Sequence, residues 1–166
     1  MHDTMTRYLE GVDSFQTRRA LRAIHKPLID RYSSQALTSA ALVINGAGAT
    51  FAKIGAAPFY AVAAGSLVML AAGAAMPALT NVLIPAGSYN VAAFYVNSAG
   101  VITAAPGTAS LTLGGVVFPQ AVVGAALVGF LIITYAGAFV GGTTPLDTAT
   151  TVYISPTGPI DPTCRV

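Results

Sequence analysis

Side chains able to act as acid, base, nucleophile or metal ligand are few in this 166-residue chain, and they stand far apart. Histidine catalysis needs an imidazole beside a nucleophile or a carboxylate. The only histidines are His2 and His25, both near the N-terminus. His2 reads as a terminal residue. His25 falls at the end of a basic segment with helical spacing, where a partly cationic imidazole suits the helix dipole. Glycoside chemistry needs two carboxylates facing one bond. After residue 36 the chain offers only Asp147 and Asp161, in the contexts Pro-Leu-Asp-Thr and Pro-Ile-Asp-Pro. Both read as turns, where Asp accepts backbone N–H bonds. Two histidines, the single Cys164 and no dense acidic cluster write no metal set. Cys164 has no partner for an internal disulfide and reads as an inert thiol. A bridge between copies would require oxidising surroundings.

Gly46-Ala-Gly48-Ala-Thr50-Phe-Ala-Lys53 has the outline of a phosphate loop. The Walker pattern wants Gly directly before the Lys and Ser or Thr directly after it. Those places hold Ala52 and Ile54, and the dinucleotide fingerprint is missed as well. Gly46 and Gly48 are expected to serve a tight turn instead. The expectation from these residues is a protein that is not an enzyme, with no cofactor and no metal.

The elements that would have to position any site come from an unusual composition. Apolar residues make up 54% of the chain and charged residues 8%, against the usual ~45–50% and ~25%. That excludes disorder for the body, since disordered chains are charged and poor in apolar residues. Residues 1–36 hold Arg7, Arg18, Arg19, Arg22, Lys26 and Arg31 against Asp3, Glu10, Asp13 and Asp30. Residues 37–166 hold only Lys53, Asp147, Asp161 and Arg165, and the 93 residues from 54 to 146 carry no charge. A soluble monomer needs surface charge to stay hydrated and apart from its neighbours. This body is expected to sit in lipid or to be covered by protein. The formal net charge of +2 is too small to argue for nucleic acid.

Hydropathy by itself points to lipid. Mean hydropathy is +0.68, and residues 124–142 approach the ~20 apolar residues of a spanning helix; residues 61–75 are a weaker second stretch. Three features oppose spanning. The loops beside these stretches lack Lys and Arg. Pro58, Pro77, Pro85, Pro106, Pro119 and Pro145 cut the apolar runs at short spacing. Several runs alternate or are β-branched, such as Ser88 to Val96 and Thr151 to Ser155. The N-terminus lacks the apolar region of a secretory signal, so none is expected.

The reading is therefore all-β: a β-sandwich or jelly-roll-like body over 37–166 behind a basic, partly helical N-terminal arm over 1–36. Expected strands are 41–45, 50–55, 59–63, 66–71, 88–96, 100–104, 109–113, 115–118, 126–134 and 150–155. Asn97-Ser98-Ala99-Gly100 reads as a hairpin turn, and residues 33–40 read as a linker. In the arm, Asp13 or Ser14 can cap a helix. Leu21, Ile24, Leu28 and Tyr32 form an apolar stripe, interrupted by Pro27. The opposite face carries Arg18, Arg19, Arg22 and Lys26. This basic face reads either as a solvated helix face or as an anchoring arm that contacts an acidic protein surface. It lacks the broad patch and stacking aromatics expected for nucleic acid.

From about Ile44 to Thr163 the chain resembles the small capsid decoration (cement) and head-fibre proteins of tailed phages. The resemblance lies in Lys53-Ile54-Gly55, Phe59-Tyr60-Ala61, Met76-Pro77-Ala78-Leu79, Tyr89-Asn90-Val91 and Phe94-Tyr95-Val96-Asn97-Ser98-Ala99-Gly100. It continues through Val117-Phe118-Pro119, Gly129-Phe130-Leu131-Ile132-Ile133, residues 139–147 and Gly158-Pro159-Ile160-Asp161-Pro162. The order of these pieces is more specific than any one of them. The resemblance implies a homotrimer on the outer surface of a phage capsid, clamping neighbouring major capsid protein subunits, with no catalytic residues. The arm lies outside the matched part. Its proposed capsid contacts, Arg18, Arg19, Arg22, Lys26 and Arg31, come from its charge alone. Two alternatives stay open: the base of a head fibre or tail spike, and a small integral membrane protein.

Overall fold

The computed structural model describes Arg19, residues 33–80 and residues 82–158. Residues 33–80 and 82–158 form an all-β body of eleven strands. The strands are β1 (Gln35–Ala36), β2 (Val43–Ile44), β3 (Ala52–Lys53), β4 (Phe59–Ala63), β5 (Ser66–Leu70), β6 (Leu83–Ile84), β7 (Tyr89–Val96), β8 (Ile102–Pro106), β9 (Ala126–Thr134), β10 (Phe139–Val140) and β11 (Thr150–Ile154). Every pairing between them is antiparallel. A four-stranded sheet has the order β11-β9-β7-β8, and a three-stranded sheet has the order β1-β4-β5. Two ribbons, β2-β3 and β6-β10, complete the described body.

The two larger sheets share one apolar core. Phe59, Ala61, Ala63, Val68 and Leu70 enter it from β4 and β5; Ala92, Phe94, Val96, Val128, Leu131 and Ile133 enter it from β7 and β9. This sandwich-like arrangement follows from period-2 side-chain alternation. β7 departs from alternation, since every residue from Asn90 to Val96 is buried. A strand covered on both faces reads as a continuous apolar run. Its second face, with Ala93 and Tyr95, packs with Leu127, Phe118 and Phe130. The Phe118 and Phe130 rings meet edge-to-face, with centroids 5.1 Å apart.

A β-bulge sets the pattern of β9. Phe94 pairs with Gly129, but Tyr95 pairs with Leu127, so Val128 is an extra residue on β9. The inward set therefore changes parity, from Ala126 and Val128 to Leu131 and Ile133. Gly129 sits at this step. A Cβ there would lie 2.6 Å from the Ile154 carbonyl oxygen and 2.7 Å from Leu42 Cδ1. Only a residue without a side chain fits unless its neighbours move.

The expected strands at 59–63 and 126–134 coincide with β4 and β9, and those at 66–71, 88–96 and 150–155 nearly so with β5, β7 and β11. The Asn97 turn joins β7 to β8, with Asn97 Oδ1 accepting the N–H groups of Ala99 and Val101, each at 3.0 Å. Pro106 closes β8, which is an edge strand where a missing donor is tolerated.

Two expectations are corrected, and the membrane alternative is not favoured. Residues 109–113 and 115–118 are not strands. They hold a 3-10 turn at Leu113–Gly115 and the single bridges Tyr89–Ser110 and Thr108–Val117. Gly114 and Gly115 bring no side chain to hold a ladder. Residues 33–40 are not a linker. β1 pairs with β4, Ala36 and Ala40 are buried, and Ser34 Oγ accepts the Ala64 N–H at 3.1 Å. Small polar residues served here as side-chain acceptors for a distant hairpin rather than as flexible chain. The apolar stretches weighed as membrane spans are strands and turns, and among the described residues no helix is long and apolar enough to cross a membrane.

Candidate interaction surface

The two charged side chains of the described body both serve the β2–β3 ribbon. The Ala49 N–H donates to the Gly46 carbonyl at 3.1 Å, closing the turn at its tip. Gly48 has φ of 72°, which an L side chain adopts only with strain. Its N–H donates to Asp147 Oδ2 at 2.7 Å, and the Leu146 N–H donates to the Ala49 carbonyl at 2.9 Å. Lys53 Nζ donates to the Asn45 carbonyl at 3.3 Å. Asp147 thus accepts a backbone N–H, as its turn-like context suggested, but the donor lies 99 residues away. The amide that an anion would seek in this glycine turn is already taken by a carboxylate. Tyr153 stands near this clasp. Partial burial pushes its pKa above the ordinary tyrosine value, and the Asp147 charge adds to the effect.

Arg19 is helical and exposed. The other arm residues proposed from charge, Arg18, Arg22, Lys26 and Arg31, lie outside the described residues, as do His2, His25, Asp161 and Cys164. Among the described residues, no three of His, Cys, Asp or Glu gather into a metal-holding group. A cavity of about 240 Å³ lies between residues 77–79 with Val82 and the edge strand β8. Its lining is Pro77, Ala78, Leu79, Val82, Thr103, Ala104 and Pro106. Among these described residues Thr103 supplies the one polar side chain, too little by itself for acid–base or nucleophilic work.

The surface that stands out is the outer face of the β1-β4-β5 sheet. Alternation sends Phe59, Ala61 and Ala63 of β4, and Val68 and Leu70 of β5, into the core. It sends Tyr60 and Val62, and Leu67 and Met69, the other way. Tyr60 pairs with Met69, Val62 with Leu67, and Gln35 with Val62. Leu37 lies beside Tyr60, its N–H donating to the Tyr60 carbonyl at 2.9 Å. The result is two rows, Gln35-Val62-Leu67 and Leu37-Tyr60-Met69, with one amide and no charge. Leu67 is 69% exposed, Met69 57% and Leu37 47%. Most half-buried sheets alternate apolar and polar residues; this one is apolar on both faces.

The hairpin tip that carries this face is tightly held. Ala64 and Gly65 both have positive φ, 48° and 78°, which is the geometry of a two-residue type I′ turn. The Gly65 N–H donates to the Ser33 carbonyl at 2.8 Å.

Reading the sequence for charge and catalytic types missed Leu37, Tyr60, Leu67 and Met69 as surface residues. The available signal was that both parities of 59–63 and 66–70 are apolar, which leaves one apolar face over if the sheet has a single core. Compared with known proteins, the chain matches no family model, no curated protein and no solved structure.

Proposed function

We propose that this chain is a phage virion structural protein that decorates the outer surface of the capsid and stabilises it by binding across neighbouring major capsid protein subunits. The observation that carries a structural, assembly-forming role is the charge-free apolar face of the β1-β4-β5 sheet, exposed in a single copy. A contiguous apolar patch of this kind marks a surface that protein covers. The phage setting rests on the resemblance noted in the sequence. In this reading the body self-associates as a homotrimer, and its basic arm lies along the shell. Arg18, Arg19, Arg22, Lys26 and Arg31 meet capsid carboxylates and carbonyls. Contacts spread over several subunits resist the pressure of packaged DNA.

The test is electron microscopy of particles formed with and without the full chain. Density on the outer shell, at junctions between capsid subunits, is the expected result. Density confined to the tail, or none on the virion, overturns the proposal. Removing residues 1–32 tests the arm separately while leaving β1 in place. Normal occupancy by the shortened chain excludes the arm as the anchor.

A further inference from the structure

We infer that the outer face of the β1-β4-β5 sheet is the docking surface for a second copy of this chain. The inference rests on the self-association proposed above and names the surface responsible. Three observations support a second copy as the occupant.

The first is charge. Gln35, Leu37, Tyr60, Val62, Leu67 and Met69 present no ionic group. A charged partner surface would lose its hydration against Leu67 and Met69 without gaining an ion pair. The chain's own residues 54–146 carry no charge, so another copy offers an uncharged complement.

The second is area. Exposures of 47% at Leu37, 37% at Tyr60, 69% at Leu67 and 57% at Met69 leave on the order of 400 Å² of side-chain surface open on this face. A stable interface covers about 800 Å² per partner around an apolar centre. The patch matches that centre.

The third is the sheet edge. Among the described residues β5 is the outermost strand in the order β1-β4-β5, whereas β1 is bridged on its far side by Gly158, whose N–H donates to the Ala36 carbonyl at 2.7 Å. Open edges are ordinarily guarded by a charge, a proline or a bulge. The β5 sequence Ser-Leu-Val-Met-Leu has neither charge nor proline, and its register with β4 runs without a break. An unguarded edge next to an uncharged apolar face is tolerable when both are covered.

The test is sedimentation equilibrium of the full chain, comparing wild type, the double variant Leu67→Asp/Met69→Asp, and Leu83→Asp as a control. Leu83 is 67% exposed on the β6-β10 ribbon, which is not part of this sheet. The wild type and the Leu83 variant are expected to sediment as the same oligomer. The double variant is expected to dissociate at least ~100-fold more readily, as for loss of central interface anchors. Its far-ultraviolet circular dichroism is expected to stay β-type, because both changed side chains are already exposed. A double variant that keeps the wild-type mass overturns this surface while leaving self-association standing. A wild type that is monomeric at tens of micromolar overturns both. As a second measurement independent of the acidic variant's folding, Leu67→Cys in a Cys164→Ser background is treated with a short bis-maleimide. Covalent oligomers are expected from Leu67→Cys and not from Leu83→Cys. The reverse pattern overturns the inference.

Discussion

Gly129→Ala is the most direct probe of how the two sheets are fitted together. The added methyl would stand 2.6 Å from the Ile154 carbonyl oxygen and 2.7 Å from Leu42 Cδ1. Ordinary contacts at such atoms are about 3.4 Å or more, so something must shift by more than half an ångström. The carbonyl belongs to β11, whose Ile154 pairs with Phe130, so it moves only with the strand. Leu42 is 4% exposed and part of the main core, so its rotation disturbs its neighbours. Overpacking of this kind destabilises by about 1–3 kcal/mol. Replacing Gly also stiffens the unfolded chain, which offsets about 0.4–1 kcal/mol. The net expectation is a loss of about 1–2 kcal/mol, or roughly 2–8 °C in Tm for a chain of this size. The assay is thermal unfolding followed by circular dichroism at one fixed protein concentration, because association makes Tm concentration-dependent. Gly46→Ala is the control. A Cβ at Gly46 meets nothing within 4 Å, so its Tm is expected to hold or rise slightly. Combining Gly129→Ala with Leu42→Ala should cost less than the sum of the two single changes, since each relieves the other. A Gly129→Ala protein as stable as wild type, or strict additivity with Leu42→Ala, would refute the close-packing argument.

Three further outcomes follow from the same geometry. Asp147→Ala removes the acceptor for the Gly48 N–H; a charge-assisted bond at an exposed site is worth about 1 kcal/mol, read as a lower urea midpoint with unchanged slope, and Asp147→Asn should recover part of it. Ala64→Gly relieves a positive φ of 48° at the β4–β5 turn and should stabilise by about 0.5–1 kcal/mol, seen as a higher Tm. Tyr153 has its folded pKa raised above 10.0, first by burial and then by Asp147. The folded state therefore holds its proton more tightly than the unfolded state. The associated stability is complete below the unfolded pKa and is lost as pH rises through the folded one. Unfolding free energy should fall above about pH 10, and Tyr153→Phe should reduce that slope.

The parts of the fold that were legible in the sequence are those set by local chemistry. β4, β5, β7, β9 and β11 are five residues or longer and rich in branched or aromatic residues. The Asn97 turn announces itself by residue type. β1, β6 and β10 are two residues each, too short to carry any alternation. They exist because a neighbouring strand offers free backbone groups. The stretch 109–118 failed in the opposite sense: its apolar residues suit a strand, but it runs as a loop in which Phe118 packs on the second face of the four-stranded sheet, Ala109 packs on the main core, and Leu111, Leu113 and Val117 stay exposed.

Sequence by itself determined an all-β chain with charge concentrated in residues 1–36 and almost absent beyond. Those properties follow from residue type and spacing within a few positions. Only the tertiary structure decided that Asp147 meets Gly48, that Val128 is an extra residue opposite Phe94 and Tyr95, and that Tyr60, Leu67 and Met69 look outward. Each of these depends on which distant strand lies alongside. When both faces of a hairpin are apolar, alternation cannot say which face the core will take. The choice falls to the sheet that packs against it, and here that sheet left Leu37, Tyr60, Leu67 and Met69 uncovered.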